Sequence, residues 1–200
     1  MNNRPQKFST EHTLNDSSIF TWEAVLPLVL EEFKKGKTIA IANGNFVLLH
    51  TGHSLLFEGS RREGAVRRSD KDENGVIVLA IVNATHQTRL KDPIKASLET
   101  DAERARKVYD NRHIDFVVIS EAPKGDYTML TDFQRLIDAG VKGQQLINVK
   151  GYDYRAFDLP PEAELVTRNG GQVIILDNYH GITSSSVLEA LKKALVGKTV

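Results

Sequence analysis

The 200-residue chain contains no cysteine. Disulfides and thiolate metal sites are therefore excluded, and the chemistry must come from other side chains. It also lacks a long apolar run. The longest, Val76-Ile77-Val78-Leu79-Ala80-Ile81-Val82, is far too short to span a bilayer. It has no excess charge of either sign, because 26 Lys and Arg balance 26 Asp and Glu. No global field draws it to nucleic acid or to an acidic membrane, so neither is expected as a partner. The start, Met1-Asn2-Asn3-Arg4-Pro5-Gln6-Lys7, is polar and has no apolar signal core, which leads to the expectation of a cytoplasmic protein.

What is present is an alternation of short apolar runs with helical patterns. Residues 1–17 are polar and are expected to form a mobile N-terminal segment, with 18–200 as one domain. Between Thr21 and Lys35, Trp22, Val25, Leu26, Val29, Leu30 and Phe33 recur at helical spacing; Thr21 is placed to cap the helix and Gly36 to end it. Strands are expected at 38–42, 76–82, 115–119, 146–149 and 173–177, each short and rich in Val and Ile. Helices are expected at about 52–63, 100–111, 130–139 and 160–169, with a last one from about 184 to 195. This order implies an α/β, Rossmann-like three-layer sandwich with a five-stranded parallel sheet, which binds ligands at the carboxyl ends of its strands. Arg61 to Gly75 reads as a long charged loop. It either solvates the surface, forms a lid whose arginines meet phosphate, or makes a subunit contact.

The most informative stretch follows the first strand. It runs Asn43-Gly44-Asn45-Phe46-Val47-Leu48-Leu49-His50-Thr51-Gly52-His53. Two histidines three apart open a helix, where backbone N–H groups and the helix dipole attract phosphate. Their imidazoles can donate to phosphoryl oxygens, and the glycine lets the backbone approach.

Gly44-x-Phe46-x-x-x-His50-x-Gly52-His53 resembles the first signature of the cytidylyltransferase-like nucleotidyltransferases, most nearly their heptose 1-phosphate adenylyltransferase branch. Further blocks match in order. Arg89-Leu90-Lys91 resembles the phosphate-contacting lysine segment, Glu103-Arg104 an acidic-Arg pair, and Lys150-Gly151-Tyr152-Asp153-Tyr154 the family's Lys-Gly-Gly-Asp-Tyr. Gly170-Gly171-Gln172-Val173 resembles the start of its last strand, and Gly181-Ile182-Thr183-Ser184-Ser185-Ser186 its terminal hydroxyl signature. The resemblance extends from about Ile19 to Leu195.

It implies a nucleoside triphosphate and a phosphorylated small molecule as substrates, Mg2+ entering with the nucleotide, and a homodimer. His50, His53 and Lys91 would be catalytic. Asn43, Gly44, Asn45, Phe46, Gly52, Asn83, Gly181, Thr183, Ser184 and Ser185 would hold the nucleotide. Lys150, Asp153 and Tyr154 would hold the acceptor, with Lys150 neutralising its phosphate. ATP with heptose 1-phosphate is the first expectation. CTP with a polyol phosphate, or a nucleotide-binding regulatory module without turnover, are the alternatives.

Four departures from the pattern stand out. Val47 replaces an aspartate, Asn45 a Cys or Thr, and Ala84-Thr85 a Ser-Asp pair. Asp92-Pro93-Ile94-Lys95 stands where the family has Gly-Arg-Pro.

Overall fold

A computed structural model describes residues 20–156, 158–177 and 184–196. The expected N-terminal segment therefore lies outside the described residues, as do Gly181 and Thr183.

Five strands form one sheet: β1 (Thr38–Gly44), β2 (Val76–Val82), β3 (Phe116–Ile119), β4 (Leu146–Lys150) and β5 (Gln172–Ile175). Their spatial order is β3-β2-β1-β4-β5, and every pairing is parallel. The expected α/β architecture is thus observed. The chain runs outward from β1 in one direction and returns to its other side at β4. That makes the gap beyond the carboxyl ends of β1 and β4 the switch point of the sheet.

Alternation along the strands divides the core. Ile39, Ile41, Ile77, Leu79 and Ile81 pack with Trp22, Val25 and Val29 of α1 (Trp22–Lys34), Phe133 and Leu136 of α5 (Leu130–Asp138), and Val166 of α6 (Pro161–Arg168). Ala40, Ala42, Val78, Ala80 and Val82 face Phe57 and Ala65 of α2 (Thr51–Val66) and Ala105 and Val108 of α4 (Asp101–Tyr109). The sheet is covered on both sides, which is why its strands read as continuous apolar runs. α2 comes close to the sheet because it carries glycine at the contact; a Cβ on Gly64 would meet Val76 Cγ1 at 2.6 Å. Thr21 caps α1 by accepting from Ala24 N, and Gly36 leaves the helix at a positive φ of 83°, as its sequence position implied.

Two expectations need correction. The short helix α3 (Thr85–Lys91) was not anticipated; it follows β2 directly. The segment from Arg61 is not a loop at its start, since α2 continues to Val66. Nor do its arginines form a lid. Arg61 donates to the backbone carbonyls of Val76 and His113 and to the Asp115 carboxylate at 2.6 Å, all at the amino ends of β2 and β3. Arg67 bonds Glu63 and Gln172, and Arg68 bonds Asp70 and the Gly36 carbonyl. This edge is opposite the switch point. Among the described residues, no helix is long and apolar enough to cross a membrane.

Candidate active site

The turn after β1 is held from beneath. Arg104 is almost fully buried (1% exposed) on α4; it donates to the Asn45 carbonyl at 2.7 Å and to Asp101 at 2.5 Å. Asp101 also accepts from the Thr85 hydroxyl. A carboxylate from α4 thus stands against the threonine that replaces the usual acidic residue. Within the turn, Phe46 and Leu48 adopt positive φ values of 50° and 51°, a conformation that non-glycine residues rarely take and that concentrates at functional sites.

That strained path delivers His50 to the N-cap of α2. Its Nδ1 accepts from Gly52 N at 3.1 Å, and His53 Nδ1 accepts from His50 N at 3.4 Å. The pair is a capping box built from imidazoles, and its three-residue spacing is the spacing such a box requires. With both Nδ1 atoms accepting, the neutral tautomer carries its proton on Nε2 in each ring, giving two neighbouring donors. The rings lie 3.9 Å apart between centroids, and His53 rests edge-on against Phe46 at 5.4 Å. Burial, then His50 and Lys95, lower the His53 pKa to about 3; burial, then Lys95, also lower that of His50. Both imidazoles are neutral at physiological pH.

A cleft of about 560 Å³ opens above this turn, at the carboxyl ends of β1 and β4. Of the residues expected at the site, it gathers Asn43, Gly44, Asn45, Phe46, His50, Gly52, His53, Lys91, Lys150, Asp153, Tyr154 and Ser185. Phe46 is buried, so its ring supports His53 and Phe57 more than it presents a surface. Asn83 lies just beyond, in a smaller annex. Ser184 begins α7 (Ser184–Val196), and Ser185 in its first turn forms part of the cleft wall.

Lys95 was not anticipated. It sits on a 3₁₀ turn, Lys95–Ser97, and its ammonium reaches Ser185 Oγ at 2.7 Å and lies 3.6 Å from Asp92. Its position in the segment that departs from the family pattern was the only available signal. Lys150 differs from expectation in its surroundings. It is 1% exposed, and its ammonium is bonded to Glu162 and to Asn43 Oδ1, both at 2.9 Å, with the Tyr154 ring 4.9 Å away. Burial lowers its pKa against the opposing pull of Glu162, while burial beside Glu162 and Asp153 raises that of Tyr154 to about 12.

No family model matches the chain. It is 30% identical over 176 residues to the bifunctional protein HldE of Syntrophotalea carbinolica, covering 88% of this chain and 31% of that protein. To the protein of the same name from Trichlorobacter lovleyi it is 27% identical over 181 residues, covering 90% and 32%. To that of Azorhizobium caulinodans it is 29% identical over 154 residues, covering 77% and 27%. The chain thus spans about a third of the length of the curated relatives it matches. A solved structure, the lipopolysaccharide core biosynthesis protein of Thermoplasma volcanium, aligns with a TM-score of 0.47 and 20% identity over 71% of this chain and 98% of that one.

Proposed function

We propose that the chain is a cytidylyltransferase-like nucleotidyltransferase, as its motifs and its similarity to the bifunctional HldE proteins support, and that it joins a nucleoside triphosphate to a sugar phosphate, releasing pyrophosphate. ATP and heptose 1-phosphate are the preferred pair. An oxygen of the acceptor's phosphate attacks the α-phosphorus in line. One oxygen–phosphorus bond forms, the bond from the α-phosphorus to the bridging oxygen breaks, and pyrophosphate leaves with that electron pair. The acceptor is already anionic, so no side chain need serve as nucleophile.

The observation that carries this reading is the convergence, from distant parts of the chain, of groups whose chemistry suits phosphate. His50 and His53 at the start of α2, Lys91 and Lys95 after β2, and Ser185 at the start of α7 line one cleft. In phosphoryl transfer, positioning and charge neutralisation supply most of the rate. Neutral imidazoles donate from Nε2 to the phosphoryl oxygens, while the two lysines supply positive charge. Among the described residues, no group of three or more His, Cys, Asp or Glu is placed to hold a metal ion. Mg2+ enters this reading only as the counter-ion of the nucleotide's phosphates, with no residue assigned to it.

The test is pyrophosphate release from ATP, CTP, GTP and UTP, each paired with heptose 1-phosphate, glycerol 3-phosphate and ethanolamine phosphate. Product from ATP with heptose 1-phosphate above all other pairs is expected. Nucleotide binding without product from any pair would leave only a binding module.

A further inference from the structure

A buried carboxylate is costly unless its oxygens find donors. Glu162 meets that demand on one side. Its Oε1 accepts from Lys150 Nζ at 2.9 Å and Asn43 Nδ2 at 3.3 Å, whereas Oε2 is buried without any partner. Only 3% of the residue is exposed. Glu162 lines the annex, a space of about 50 Å³ that also borders Asn83, Tyr127 and Thr128. Asn43, Gly44, Lys91 and Tyr154 line both annex and cleft, so the two adjoin. The annex has room for one or two small polar groups, a water occupying about 30 Å³ of the liquid.

The two ends of the combined space differ in charge. Beside His50 and His53 stand Lys95 and the start of α7, which suit phosphate, while Lys91 borders both ends. Beside the annex, Lys150 and Glu162 neutralise one another in direct contact. A second anion gains little there, since the Lys150 ammonium is already bonded twice. A buried acceptor oxygen on a carboxylate that is already ion-paired suits a donor without charge, and a hydroxyl is the common one.

Resting on the nucleotidyltransferase reading above, we propose that Glu162 is a specificity-determining residue: its Oε2 accepts a hydrogen bond from a hydroxyl on the sugar body of the acceptor, seated in the annex. The acceptor's phosphate then points out of the annex into the cleft, past Lys91 and towards Lys95. Lys150 holds the carboxylate in place and does not meet the phosphate. This replaces the role that its position after β4 had implied.

The experiment compares heptose 1-phosphate with its monodeoxy analogues, using ATP as the nucleotide. In the unmodified protein, one analogue should lose about 10–100-fold in kcat/KM, on the scale of one hydrogen bond to a charged group. In Glu162→Met, parent and analogue should become nearly equal, because the thioether leaves the hydroxyl no comparable hydrogen-bond partner. The KM for ATP should stay within about twofold. The double variant K150M/E162M removes both charges together and keeps an apolar core, which covers the case in which the single variant fails to fold. If the unmodified protein discriminates and both variants discriminate equally well, Glu162 does not read the hydroxyl and this inference alone fails. If the unmodified protein makes no product from any acceptor, the reading of the cleft fails with it.

Discussion

Lys95 Nζ stands 2.7 Å from Ser185 Oγ, joining the segment after β2 to the first turn of α7 across 90 positions of sequence. The contact forms part of the cleft that the two imidazoles also line, and the same ammonium helps to keep both histidines neutral. Lys95→Met should raise the KM for the nucleotide about 10-fold or more, the scale of a charge-assisted hydrogen bond. It should also raise the pKa of His50 and His53 in an NMR titration. A variant with a weaker nucleotide KM but unmoved imidazole titrations would reduce Lys95 to a structural clasp.

The two roles of His53 can be separated by isosteric choice. In His53→Asn the side-chain oxygen lies near the position of Nδ1 and can keep accepting from His50 N, while the Nε2 donor is lost. We expect kcat to fall roughly 10²–10³-fold with the melting temperature nearly unchanged. His53→Ala should show the same kinetic loss and destabilise the fold by about 1 kcal/mol as well, through the lost cap. Near-normal turnover in His53→Asn would remove this residue from the chemistry.

Stability should depend on pH through the same ring. The folded state holds His53 near pKa 3, against an ordinary value of 6.5. Below pH 6.5 the unfolded chain therefore binds a proton that the folded protein refuses, and stability falls as pH drops from about 6.5. Urea midpoints measured from pH 7.5 to 5 should show this decline, and His53→Asn should flatten it. A midpoint constant over that range in the unmodified protein would contradict the neutral, enclosed imidazole.

Much of this site was legible in the sequence because it depends on local spacing. His50 and His53 form a capping box, which is a property of four consecutive residues, and β1 announces itself through its unbroken apolar run. What escaped depends on tertiary packing. Glu162, within Pro160-Pro161-Glu162-Ala163, has the composition of an exposed first helical turn, and only the docking of α6 against β4 buries it beside Lys150. Lys150 itself looked available because the expected strand ended at 149, one residue before it; in the sheet it is the last residue of β4, beside Asn43. The α2 extension was hidden by Arg61, Arg62 and Glu63, whose charges resemble a loop although Gly64 and Ala65 pack on the sheet.

Arg61 supplies the contrasting case of a charge that serves the fold alone. Its pair with Asp115 is largely enclosed, and Asp115 also accepts from Val78 N at 2.7 Å. Arg61→Leu should destabilise the protein by roughly 3 kcal/mol, because it strands a mostly buried carboxylate. Its kinetic constants should match those of the unmodified protein wherever it remains folded. A selective change in KM for either substrate would restore the lid role that this segment's charges had suggested.

The central claim concerns which phosphorus is attacked and by what, so the most direct measurement follows the oxygen atoms. Heptose 1-phosphate carrying ¹⁸O in its phosphate is mixed with ATP and the protein, and the products are resolved by ³¹P NMR and mass spectrometry. The account predicts that the label stays entirely in the nucleotide-sugar, including its new bridging position, and that the released pyrophosphate carries none. Formation of ADP with a doubly phosphorylated sugar would place the attack at the γ-phosphorus and contradict the account.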